Sequence, residues 1–181
     1  MSLEKVIQEI RQRETFLVTT HMSPEGDAVG SALGMALALK AIGKKPSLIL
    51  RDPVPSRLRF LPGSELFQQA SQVGTPFPTF DAMIVVDCGD LQRIGFVKAE
   101  RPPAPMIINI DHHVTNVQFG QVNWIIPDAT ASGSMVFKVI QELNIPVSPE
   151  MATALYTTLV TETGAFRYSN TTPETFQLAA E

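Results

Sequence analysis

The sequence predicts an α/β fold on a mostly parallel, five-stranded sheet. Three observations predict it. Strand-like and helix-like apolar runs alternate along the 181 residues. Three of the runs, Phe16-Leu17-Val18-Thr19-Thr20, Met83-Ile84-Val85-Val86 and Ile107-Ile108-Asn109-Ile110, are continuous and mostly β-branched or aliphatic, as strands buried on both faces require. Each run is followed by a short acidic or histidine-bearing cluster, and parallel strands deliver such clusters to one edge of a sheet.

In order, residues 3–13 read as an amphipathic helix and 15–21 as the first strand. The clearest helix is 27–42, with Asp27 as its N-cap and Gly43-Lys44-Lys45-Pro46 as its stop. Its small residues, Ala28, Gly30, Ala32, Gly34, Ala36 and Ala38, predict close packing against the sheet. Residues 47–51, 82–87, 106–111 and 124–126 are the remaining strands. The proline-bearing stretches 74–79 and 101–105 read as loops. Helices follow at 131–143 and 149–160, and Thr172-Pro173-Glu174-Thr175 opens another with proline in its first turn.

Composition narrows the function classes. Hydrophobic residues make up 44% of the chain, which suits a globular core, and no apolar run approaches the roughly 18 residues of a membrane span. A single cysteine rules out an internal disulfide framework, and with no secretory leader in the sequence a reducing cytoplasm is expected. The balance of 14 Lys+Arg against 18 Asp+Glu disfavours a broad nucleic-acid platform. It leaves small anionic substrates open, because bound cations reverse the local potential.

Four clusters carry chemistry. His21, Glu25 and Asp27 are three potential ligands after the first strand, although Asp27 alone would serve as a helix cap. Asp87 ends an otherwise apolar strand, where a carboxylate can bridge two cations. In the same turn Asp90 reads as a cap, and Cys88 as a small buried thiol rather than a nucleophile. Asp111-His112-His113 is the most specific signal, since three consecutive ionisable groups at a buried strand end are costly without a metal or phosphate. Glu162 precedes the polar segment 163–170, whose Arg167 suits phosphate oxygens. Imidazoles and carboxylates together suit divalent manganese, iron or zinc, and a carboxylate-rich set leans to manganese. No Gly-x-Gly-x-x-Gly follows the first strand, so a dinucleotide cofactor is disfavoured.

The strings His-Met-Ser-Pro-Glu-Gly-Asp, Val-Val-Asp-Cys-Gly-Asp, Ile-Asp-His-His-Val-Thr-Asn and Thr-Glu-Thr-Gly-Ala-Phe-Arg-Tyr-Ser-Asn-Thr-Thr occur in that order from His21 to Thr172. In this the chain resembles the DHH phosphoesterase superfamily, and within it the bifunctional oligoribonucleases that are also phosphatases of adenosine 3′,5′-bisphosphate (pAp). The resemblance implies a three-layer Rossmann-like domain, helices on both faces of the sheet, and two Mn2+ ions. It implies one ion held by His21, Glu25 and Asp87, and the other by Asp27, Asp87, His112 and Glu162. Asp111 would orient an imidazole, His113 would face the scissile phosphate, and Arg167 would add positive charge.

The family usually has Asp where this chain has Glu25 and Glu162, and both glutamates are expected to ligate despite the extra methylene. Residues 1–172 are expected to form the catalytic domain. Residues 173–181 would start a linker helix to a C-terminal substrate-binding domain absent from this chain. The expected substrates are short oligoribonucleotides or pAp, and the expected reaction is hydrolysis by a two-metal-activated water, of low activity without the second domain. The alternatives are a cyclic dinucleotide phosphodiesterase or a catalytically weak nucleotide-binding module. Neither a membrane nor a long nucleic acid is an expected partner, and homodimer formation stays open.

Overall fold

The computed structural model describes residues 2–95 and 104–181. The elements run α1 (Leu3–Gln12), β1 (Thr15–Thr19), α2 (Gly26–Ala41), β2 (Lys45–Leu50), β3 (Phe67–Gln69), β4 (Ala82–Val86), β5 (Ile107–Asp111), β6 (Val122–Ile125), α3 (Ser132–Glu142), α4 (Pro149–Glu162) and α5 (Pro173–Ala180). The sheet has six strands rather than five, in the order β3-β2-β1-β4-β5-β6. Every pairing is parallel. The extra strand, Phe-Gln-Gln at the sheet edge, is three residues long and polar, so it carries no apolar run by which to find it. Residues 101–103 of the expected loop lie outside the described residues, while 74–79 is without helix or strand.

Strand order reverses beside β1, whose neighbours are β2 and β4. Open α/β sheets bind ligands at such a switch point, outside the carboxyl ends of the strands. The alternation within each strand divides the core in two. Phe16 and Val18, Leu48 and Leu50, Ile84 and Val86, and Ile108 and Ile110 face one way and pack with the buried faces of α1 to α4. Leu17, Ile49, Met83, Val85 and Ile107 face the other way, with Ala70, Phe80 and Ile94. Helices were expected on both faces, but α1 to α4 pack on the first face alone. Among the described residues the second face carries only 3-10 turns, Ala70–Gln72 and Leu91–Ile94, and loop residues.

α2 is buried over most of its circumference, as its apolar composition demands. It stops where expected: Gly43 takes φ +79, its N–H bonds Lys40 O and the next N–H bonds Leu39 O. Its small residues serve a neighbour other than the one expected. A Cβ on Gly26 would meet Thr161, one on Gly30 would lie 2.5 Å from the Ala154 carbonyl oxygen, and one on Gly34 would meet Leu155. The close approach is therefore to α4 rather than to the sheet. α4 itself starts on a Ser148 side-chain cap with proline behind it. It runs two residues past the expected end, so Glu162 is its last helical residue. Among the described residues no helix is long and apolar enough to cross a membrane.

Candidate metal centre

Three strands end at the switch point, and α2 starts there. β1 delivers His21 two residues after its last, and Glu25 occupies the N-cap of α2, with Asp27 in its first turn. β4 ends at Val86, and Asp87 follows with φ +52, a left-handed turn that swings its carboxylate out of the strand's pleat. Asp tolerates that conformation better than most residues. β5 ends on Asp111 itself, so His112 and His113 leave from the same edge.

Their side chains meet. His21 Nε2 is 3.6 Å from Asp87 Oδ2, and His112 Nε2 is 3.5 Å from both Asp27 Oδ2 and Asp87 Oδ1. His113 Nδ1 is 3.8 Å from Asp87 Oδ1. Among the described residues two sets of three could hold an ion: Asp87, His112 and His113, and Asp27, His112 and Glu162, each with ligand atoms within 4.8 Å of one another.

Each imidazole is fixed by its other nitrogen. His112 Nδ1 donates to Ala129 O at 3.1 Å and His21 Nδ1 to Met22 O at 2.6 Å, which leaves each Nε2 facing the carboxylates. His113 Nδ1 donates to Asp111 Oδ1 at 2.7 Å. Metal-binding histidines are oriented in this way, which also fixes the tautomer.

The carboxylates are held as firmly. Asp27 does not cap its own helix; it caps α3, accepting from Ser132 N at 2.7 Å, Gly133 N at 3.0 Å and Ser31 Oγ at 2.9 Å. The N-cap expected of it falls to Glu25, which makes no side-chain cap bond. Ser132 Oγ donates to Asp87 Oδ1 at 3.1 Å. Buried Asp111 accepts a second bond, from Asn116 Nδ2 at 2.6 Å, and Asn116 is tied to Asn109 Oδ1 at 2.8 Å.

Burial and the neighbouring charges compete across the centre. It would raise the Asp87 pKa, but His112 and His21 more than reverse this and hold it well below the carboxylate range. Burial and the Asp87 charge together raise Asp27. Burial would lower His112, yet Asp87 and Asp27 lift it to about 9. Asp111 raises His113, and His21 is raised by Asp87 against its burial. Glu162 is raised by its burial, then by Asp87 and Glu25. Cys88 is pushed up to about 12 by burial and donates to Asp90 O, so it is the inert thiol expected. Asp90 caps the turn at Leu91 by accepting from Gln92 N.

Glu25 is exposed and belongs to neither set of converging ligands, although its charge reaches Glu162. Arg167 is exposed and spends Nε on Gly164 O at 2.7 Å; among the described residues it forms no ion pair with the centre. Ser132, Gly133, Ser31, Asn109 and Asn116 hold the centre together and were not singled out from sequence. An asparagine inside Ile-Ile-Asn-Ile was the one signal available, because a buried amide in a strand needs partners.

The donor set fits divalent cations. Separations of 3.5–3.6 Å between Nε2 and carboxylate oxygen are too long for good hydrogen bonds. Ligands about 2.0–2.2 Å from one ion stand roughly 3.0–3.5 Å apart, so little movement would be needed to bind one.

A parallel α/β sheet with imidazoles and carboxylates gathered at its switch point defines a protein built to hold divalent cations. Residues 15–159 match the model of the DHH family, N-terminal domain. The chain belongs to the DHH family. It is 39% identical over 164 residues to the bifunctional oligoribonuclease and PAP phosphatase NrnA of Thermus thermophilus, covering 91% of this chain and 48% of that protein. The protein of the same name from Bacillus subtilis is 25% identical over 194 residues, with 98% and 55% covered. The chain thus spans about half the length of the curated relatives it matches. Its fold is also that of the crystal structure of an exopolyphosphatase-related protein from Bacteroides fragilis, with TM-score 0.87, 24% identity, and 98% and 54% of the two chains covered.

Proposed function

We propose that the chain is the cation-binding half of a cytoplasmic phosphoesterase that hydrolyses phosphate esters of short oligoribonucleotides or of pAp, using two manganese ions. One observation carries this reading: Asp27, Asp87, His112, His113 and Glu162 converge on one edge of the sheet, with His112 Nε2 between two carboxylates. The relatives' names and the carboxylate-rich donor set support it.

In this reading His21, Glu25 and Asp87 would hold one ion, and Asp27, Asp87, His112 and Glu162 would hold the other. Bound divalent ions would lower the pKa of a water and neutralise charge on the phosphoryl oxygens. The chain's own residues do the rest. Asp111, anchored by Asn116, orients His113 through Nδ1 and favours its doubly protonated form, in which Nε2 can donate to a phosphoryl oxygen. Arg167, exposed beside the centre's last helix, would add positive charge toward the phosphoryl oxygens. Attack is direct, with no covalent enzyme intermediate. The second half of the full-length protein supplies further substrate contacts, and the present chain turns over slowly.

The exposure of Glu25 favours a second reading, a nucleotide-binding module without turnover. Metal analysis on purified protein is combined with titration of pAp, a linear dinucleotide and a cyclic dinucleotide, with and without Mn2+. Two ions per chain and manganese-dependent release of phosphate or mononucleotide are expected. Binding without product would give the second reading, and cleavage of the cyclic substrate alone would change the substrate class.

A further inference from the structure

The segment from Ala129 to Gly133 touches three of the converging ligands. Ala129 O takes the Nδ1 proton of His112, Ser132 N and Gly133 N bind Asp27, and Ser132 Oγ binds Asp87. Within it Thr130 points elsewhere. Its hydroxyl lies 2.7 Å from that of Thr175, 45 residues away in α5, and both residues are buried.

Thr175 is equipped to hold that bond. Its Oγ1 accepts from Thr172 N at 3.0 Å and lies 3.2 Å from Thr172 Oγ1, while Thr175 N donates back to Thr172 Oγ1. This reciprocal capping box fixes the first turn of α5. The next residue, Phe176, stacks on Phe166 with ring centroids 5.4 Å apart, and Phe166 lies four residues after Glu162. α5 is therefore tied to the segments that carry or support His112, Asp27, Asp87 and Glu162. A buried hydroxyl pair is also costly to break on one side only, because the remaining hydroxyl is left unpartnered.

We propose that Thr175 is a positioning residue for the cation ligands, acting through Thr130 to hold the Ala129–Gly133 segment against His112, Asp27 and Asp87. The inference rests on the cation-binding reading above. Thr175→Val keeps the side-chain shape and the bond from Thr175 N to Thr172 Oγ1, but removes the hydroxyl and with it the bond from Thr172 N. Ser148→Ala removes the cap of another helix, α4, without touching Thr130, Thr172 or Thr175.

The test is the Mn2+ dissociation constant of chelator-treated protein, with thermal unfolding of the metal-free form measured alongside. Thr175→Val is expected to weaken Mn2+ by about 10-fold, the size seen when supports of metal ligands are removed. Thr175→Ser should restore it. Ser148→Ala should lower the unfolding temperature and leave affinity unchanged. Thr130→Val cuts the bond from its other end, so a valine that disorders α5 does not decide the matter. It should weaken binding equally, and the double variant should be no worse than either single. Wild-type affinity in both valine variants, or equal loss in Ser148→Ala, would overturn the tether alone. A wild-type chain that binds no Mn2+ would overturn the cation site as well.

Discussion

At the scale of residues, His112 sets the terms on which a cation can bind. Its pKa of about 9, against an ordinary 6.5, means that it is protonated near neutral pH when no metal is present. The sign follows. The stabilisation that its charged form gives the fold is complete below pH 6.5 and is lost as pH rises through about 9. A cation competes with that proton, so apparent affinity should climb over the same window. Calorimetric titration with Mn2+ near pH 7.5, in two buffers of different ionisation enthalpy, should report release of at least about one proton per chain, with Asp27 adding to what His112 gives up. Identical heats in both buffers would refute it. The paired changes Glu25→Asp and Glu162→Asp probe the other ligands. Glu162 stands in a converging set and Glu25 does not, so Glu162→Asp should change Mn2+ affinity by about 10-fold or more and Glu25→Asp by less. Equal affinity in both variants and wild type would make both glutamates bystanders.

Much of the centre could be read from the sequence at this scale, because ionisable groups after apolar runs are conspicuous. Its supports could not. Ser132 and Gly133 look like an ordinary helix start, and only the fold reveals that their N–H groups serve an aspartate 105 and 106 positions away.

At the scale of elements, the seam between α2 and α4 is the most constrained contact. A methyl group on Gly30 would lie 2.5 Å from the Ala154 carbonyl, a backbone atom, whereas one on Gly34 would lie 2.8 Å from the movable end of Leu155. Alanine gains about 1 kcal/mol of helix propensity over glycine at either site. Overpacking costs about 1–3 kcal/mol where neighbours cannot yield. Gly30→Ala should therefore destabilise and Gly34→Ala should be close to neutral; urea unfolding compares them, and the reverse order would count against the seam. The strands were legible from sequence because continuous apolar runs mark burial on both faces. β3 escaped because an edge strand reading Phe-Gln-Gln has no such mark. The glycines of α2 were visible, but their partner was not, since helical spacing says that a face is close-packed without saying against what.

At the scale of the whole molecule, the chain corresponds to about half of its curated relatives. Measuring turnover of pAp and a dinucleotide for this chain beside a version extended to the relatives' full length tests the two-part reading. The longer protein should be at least about 10-fold faster if the second part completes electrostatic contact with substrate. Equal rates would show that one part suffices. The glycine seam has a further consequence for selectivity among ions. Asp27 starts one of the two apposed helices and Glu162 ends the other, so main-chain contact sets the width of the gap that they span. A gap of fixed width discriminates by ionic radius. Mn2+ and Mg2+ should fit, while Ca2+, which prefers oxygens at about 2.3–2.6 Å and a looser shell, should compete poorly.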